Sequence, residues 1–120
     1  MTAIRAAWDA SRWQFPDDYT YDQFVNAISD WECWPVVVGG EMAGAILVKG
    51  CEMHACIKPE FFRRWASPGM YRRVTRRLRE CGRLTTSVRC DYSAGHEFVE
   101  RFGFKVCAVK GDIMVYEMRC

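Results

Sequence analysis

No run of apolar residues reaches the roughly 18 positions that a membrane-spanning helix needs, so the chain does not read as a helical membrane protein. Its opening, MTAIRAAWDASRW, lacks an apolar signal-peptide core and carries Asp9, which reads as mature cytoplasmic sequence. Internal repeats, low-complexity tracts and linkers are absent, and that leaves a single domain over 1–120. A chain of 120 residues can form one hydrophobic core without covalent staples. There is no C-x-x-C pair among the seven cysteines. Seven is an odd number, and most of them sit in apolar runs, as free thiols do in a reducing compartment. Cys51, His54 and Cys56 fit no standard zinc spacing, and strand alternation sends Cys51 and His54 to opposite faces, so no metal site is expected.

What the chain does have is charge, unevenly spread. Residues 1–60 carry four basic and nine acidic side chains, net −5; residues 61–120 carry 13 basic and six acidic, net +7. Eight of the 17 basic residues are arginines between Arg63 and Arg83. The basic half suits an anionic partner: a nucleotide-like cofactor, a nucleic acid, or the acidic face of another protein.

The stretch from Arg63 to Gly82 organises the rest. Ser67 can cap a helix with its hydroxyl, Pro68 suits the first helical position, and Gly82 can close the run in a left-handed conformation. Met70, Val74, Leu78 and Cys81 between them form one apolar stripe. This helix start follows a short loop after a predicted strand, so backbone N–H groups and the positive end of a helix dipole converge. Arg63, Arg64, Arg72 and Arg73 crowd the same end. The arrangement is a candidate phosphate cradle, and an ordinary solvated basic helix is the plain alternative.

Hydrophobic periodicity predicts a helix over Ala3 to Trp13, and a capping box at Thr20 and Gln23 predicts a second from Tyr21 to Trp31. Val36 to Val38 and Ala43 to Val48 read as strands joined by a tight Gly39-Gly40 turn, an antiparallel hairpin. Cys51 to Ile57 is a third strand, with Cys51, Met53, Ala55 and Ile57 on one face and Glu52, His54 and Cys56 on the other. After the basic helix, Leu84 to Cys90 is a fourth strand, a parallel neighbour of the third because a whole helix separates them. A short helix from Ser93 or Ala94 to Phe102 ends at Gly103, and Phe104 to Val109 and Ile113 to Met118 form a second hairpin. The order ααβββαβαββ describes an α+β domain, a mixed sheet of about six strands covered by helices.

Three segments then resemble the GCN5-related N-acetyltransferase (GNAT) family. Ile57-Lys58-Pro59-Glu60 is similar to the strand end that precedes the family's cofactor loop. Arg64-Trp65-Ala66-Ser67-Pro68-Gly69 resembles the family's [QR]-x-x-G-x-[GA] loop, with Ser67 in place of the first glycine. Phe98-Val99-Glu100-Arg101-Phe102-Gly103-Phe104 resembles its F-Y-E-[RK]-L-G-F segment, with Val99 where the thiolate-protonating tyrosine usually stands. The element order matches from about Thr20 onward. The resemblance implies a three-layer fold and acetyl-CoA as cofactor. Its pyrophosphate is expected on the backbone of Trp65, Ala66, Ser67, Gly69 and Met70, its remaining phosphate charge on Arg64, Arg72 and Arg73, and its pantetheine arm along Cys56, Ile57 and Lys58. The departures are Ser67, Pro68 with its missing N–H, Val99, and helix where the family has its first strand. They imply either a shortened, non-standard enzyme or a fold that has lost its cofactor, and short proteins of this kind also occur in phages.

Acetyl transfer to an amine requires a base, a polarised carbonyl and an acid for the leaving thiolate. His54 and Glu52 are candidate bases, a backbone N–H near Ile57 could polarise the carbonyl, and Tyr92 and His96 are candidate acids. Each also has a structural reading, as a packed aromatic or a surface side chain. Three functions stay open: an N-acetyltransferase acting on an unspecified amine; a GNAT-like domain used for binding or structure without catalysis; and, least favoured, a nucleic-acid binder using the arginine-rich helix. Trp8, Trp13, Trp31, Trp34 and Trp65 are core residues by default. Exposure of several would instead mark a face for a protein partner or a second copy of the chain.

Overall fold

The capping box forms as its residues require. The Gln23 N–H donates to Thr20 Oγ1 at 3.2 Å, and the Thr20 N–H donates to Gln23 Oε1 at 2.7 Å. In the computed structural model, which describes residues 1–120, the helices are α1 (Ala3–Ser11), α2 (Tyr21–Ala27), α3 (Pro68–Cys81) and α4 (Ser93–Phe102). The strands are β1 (Glu32–Val38), β2 (Glu41–Lys49), β3 (Glu52–Ile57), β4 (Arg83–Arg89), β5 (Lys105–Lys110) and β6 (Ile113–Arg119). They follow the order β1-β2-β3-β4-β6-β5 in a mixed sheet, the α+β arrangement expected from the sequence. No helix is long and apolar enough to cross a membrane.

The chain divides into two compact units: Met1–Lys49 with His54–Ser67, and Gly50–Met53 with Pro68–Cys120. In the first, β1 and β2 are antiparallel, and the turn between them takes positive φ at both Gly39 and Gly40 (57° and 82°), the backbone that matches strand twist. Ala7 and Trp8 of α1, Phe24 of α2 and Ala45 and Leu47 of β2 make the core, with Cys33 and Cys56 packed against it. Trp8 gathers the aromatics: its ring lies 5.4 Å from Phe24 and 6.1 Å from Phe15.

In the second unit, β6 lies between β4 and β5 and is antiparallel to both. The start of β3 runs parallel to β4, with Glu52 opposite Thr85 and the Thr85 N–H donating to the Cys51 carbonyl at 2.9 Å. Val74, Leu84, Val88, Val99, Phe104 and Tyr116 are buried here.

Four expectations change. The first helix stops at Ser11, and Arg12–Gln14 tightens into a 3₁₀ turn that leaves Trp13 half exposed. The second stops at Ala27, short of Trp31, because the chain around Asn26, Ser29 and Asp30 closes in successive three-residue turns. The first strand starts at Glu32, ahead of Pro35; β1 is an edge strand, where proline's missing N–H breaks no ladder. Finally, two of the thiols expected to be free are joined. Cys51 and Cys81 form a disulfide with Cα atoms 5.8 Å apart, because the turn before β3 meets the last residue of α3. Cys33, Cys56, Cys90, Cys107 and Cys120 are free.

Candidate functional site

In the first unit the site begins where β3 ends. Ile57 buries its side chain, and the Lys58 N–H donates to the Ala43 carbonyl at 2.9 Å. Gly44 has φ 149°, and a Cβ there would run into the Cys56 carbonyl oxygen, so glycine is what lets the two strand backbones approach. Burial pushes the Cys56 thiol up to about 12, which makes it a packing group at neutral pH.

The loop after β3 is closely folded. Pro59–Phe61 is a 3₁₀ turn, and the Arg64 N–H donates to the Phe61 carbonyl at 3.0 Å. The Arg64 guanidinium lies 5.3 Å over the Phe61 ring, with Nη2 3.5 Å from the Glu60 carbonyl. Trp65 is buried, and the Ser67 N–H donates to the Trp65 carbonyl at 3.0 Å. Ser67 turns its amide into its own loop, Pro68 has none, and Arg64 rests on an aromatic face.

In the second unit Gly69 and Met70 fall in the first turn of α3. Arg72 and Arg73 are exposed on the next positions. Tyr71 stacks on Phe102, ring centroids 4.6 Å apart.

The candidate bases lie on β3. Glu52 is exposed at its start; His54 is half-buried, with its ring 5.5 Å from Trp31. The candidate acids lie in the second unit. Tyr92 immediately precedes α4 with its ring against Gly95, where a Cβ would come within 2.5 Å of it, and desolvation pushes its phenol up. His96 stands in a chain of polar groups. Its Nε2 is 3.2 Å from the Cys90 carbonyl and its Nδ1 is 2.7 Å from the Tyr116 hydroxyl, which lies 3.4 Å from Glu100 Oε1. A carbonyl can only accept, so Nε2 carries a proton and donates to Cys90. In the neutral ring Nδ1 then accepts the Tyr116 proton.

Tyr116 and Glu100 were not legible as site residues. Tyr116 sits in the apolar run IMVYEM and reads as a core aromatic, and it is 1% exposed. Burial, helped by the Glu100 charge, pushes its phenol up. The usable signal was the four-residue spacing of His96 and Glu100, which puts both on one helix face.

This element order, with strand, loop and helix in sequence at residues 52–81, is shared with known structures. The PaiA N-acetyltransferase from Thermoplasma acidophilum, in complex with coenzyme A, superposes with a TM-score of 0.65 at 14% identity over 98% of this chain and 88% of that one. The ribosomal-protein-S18-alanine N-acetyltransferase from Escherichia coli gives 0.65 at 14% identity, over 97% and 86%. A GNAT family acetyltransferase from Elizabethkingia anophelis with acetyl-CoA bound gives 0.60 at 8% identity, over 86% and 85%. The chain has the GNAT fold. No protein-family model matches the sequence, and no curated protein sequence does either. Within the GNAT fold the three resembling segments fall at the end of β3, just ahead of α3, and along α4 to its Gly103 cap. Val99 is buried and carries no hydroxyl.

Proposed function

We propose that this protein is a coenzyme A-dependent N-acyltransferase that moves an acetyl group from acetyl-CoA to an amine. The observation that carries this reading is the GNAT fold over nearly the whole chain, shared with structures that hold coenzyme A or acetyl-CoA. The residues fit the cofactor through fewer amides than the sequence suggested. In the second unit, the start of α3 at Gly69 and Met70, with its helix dipole, and the basic side chains of Arg72 and Arg73 answer the phosphates. In the first, the Trp65–Ala66 loop and the Cys56–Ile57 edge answer the remainder. Acetyl-CoA supplies the activated acyl group. The amine nitrogen attacks the thioester carbonyl, the C–N bond forms, the C–S bond breaks, and the thiolate takes a proton. His54, with Glu52 as the alternative, removes the proton from the amine. Tyr92, or alternatively His96, supplies one to the thiolate.

The test is calorimetry with coenzyme A and acetyl-CoA, followed by thiol release over a panel of amines. Heat on binding and amine-dependent thiol release support the proposal. Absence of heat and of a thermal shift at about 1 mM cofactor overturns it, because any ligand that prefers the folded state must stabilise it. Val99 and the inward Ser67 amide favour a second reading, a GNAT-fold binding domain without catalysis. Cofactor binding with no turnover over the panel would select it.

A further inference from the structure

Helix α3 carries five arginines in fourteen residues, and the fold sorts them. At 100° per residue, Arg72, Arg76 and Arg79 fall within an arc of about 60°, centred opposite the buried Val74. All three are exposed, and none makes an ion pair or hydrogen bond within the protein. Arg77 lies outside this arc and donates to the Gly50 carbonyl at 3.2 Å, and Arg73 lies on the flank. The single acid of the helix, Glu80, is off the stripe.

This is not the pattern of an ordinary solvated face. Solvated helices mix charges and gain from opposite pairs three or four residues apart; like charges at those spacings destabilise. Arg72 and Arg76 are four apart and Arg76 and Arg79 three apart; Glu80, four residues after Arg76, is the one carboxylate at helical spacing from them, and it makes no ion pair with Arg76. Arginine also presents a planar fork of donors that matches phosphate oxygens. Successive side chains stand roughly 5–6 Å apart, which lets neighbouring guanidinium groups meet successive backbone phosphates.

We propose that the outer face of α3 binds the phosphate backbone of a nucleic acid. The contacts are electrostatic and independent of sequence, so affinity falls steeply with salt. Arg72 is shared with the cofactor reading; Arg76 and Arg79 have no part in it and are the residues to test.

Fluorescence anisotropy with a labelled single strand and a labelled duplex, between about 50 and 200 mM salt, reads it out. The Arg76→Ala/Arg79→Ala variant should bind more weakly. Its slope of log affinity against log salt should be shallower by roughly 1.4 on the single strand or 1.8 on the duplex, the values for two lost phosphate contacts. The Arg76→Lys/Arg79→Lys variant should keep the wild-type slope, and both should keep wild-type coenzyme A affinity and melting temperature. The proposal is overturned if neither nucleic acid binds at low salt, or if the alanine variant leaves the slope unchanged. It is also overturned if polyglutamate displaces the label as well as unlabelled nucleic acid does, which would give the face to an acidic protein.

Discussion

At the scale of single residues, the sharpest constraint is Gly44. Nothing in its sequence context, MAGAIL, marks it apart from other strand glycines, yet its Cα faces the Cys56 carbonyl with no room for a methyl group. The obstructing atom is backbone and cannot rotate away. Gly44→Ala should therefore cost about 3 kcal/mol or more, read as a lower urea midpoint. A residue whose role depends on a distant carbonyl is illegible in a linear reading, and Tyr116 is a second case. Tyr116→Phe keeps the buried ring and removes the hydroxyl from His96. It should cost about 1 kcal/mol. If His96 is the acid, the variant should also lower kcat and shift its pH profile while leaving KM for acetyl-CoA unchanged, because Tyr116 positions His96 and does not touch substrate. By contrast, His54→Ala should lower the rate by roughly 100-fold if His54 is the base, and an unchanged rate removes it from the mechanism.

At the scale of elements, the Cys51–Cys81 bond ties the turn before β3 to the end of α3 across a sequence separation of 30. Cross-linking that span removes conformational freedom from the unfolded chain, worth about 3–4 kcal/mol on loop-closure arguments. Melting in the presence of reductant should show that loss, the Cys51→Ser/Cys81→Ser variant should match the reduced protein, and reductant should not destabilise the variant further. Spacing could not reveal this pair, because two cysteines in separate elements become neighbours only after β3 and α3 have folded. The elements themselves were largely legible. Ser93 to Gly103, the two hairpins and the Pro68 start of α3 follow from caps, glycine turns and periodicity. Their ends were less so: α2 stops at Ala27 because local turns around Ser29 and Asp30 override the apolar spacing that continues to Trp31. At the cradle, sequence located the loop but not the direction of its amides, and the Ser67 N–H is decided by backbone torsion, which no residue pattern announces.

At the scale of the whole molecule, the ionisable groups set two limits on stability. Asp30 is held below the usual carboxylate range by its hydrogen bond to Lys49, Asp91 by Arg89, and Glu117 by Arg119 and Arg83. A depressed carboxyl contributes stability above its unfolded value, here 3.8 to 4.5, and loses it as pH falls through the lower folded value. Asp30 and Asp91 are exposed and Glu117 is part-buried, so salt should weaken this acid limb. The alkaline limb has a different cause. Burial pushes the Cys56 thiol from 9.0 up to about 12, and pushes Cys33, Tyr92 and Tyr116 up as well. Between the unfolded and folded values the native state holds the proton and the unfolded chain has released it, so stability is complete below about pH 9 and falls as pH rises. Urea midpoints from pH 3 to pH 10 should trace a plateau between about pH 5 and 9, with an acid fall that 0.5 M salt weakens and an alkaline fall that salt leaves in place. Cys56→Ala should be less stable on the plateau but lose less between pH 9 and 10 than the parent. An alkaline fall identical in the two proteins would mean that Cys56 ionises as readily in the fold as outside it, and that its packing against the Trp8 core does not exclude water.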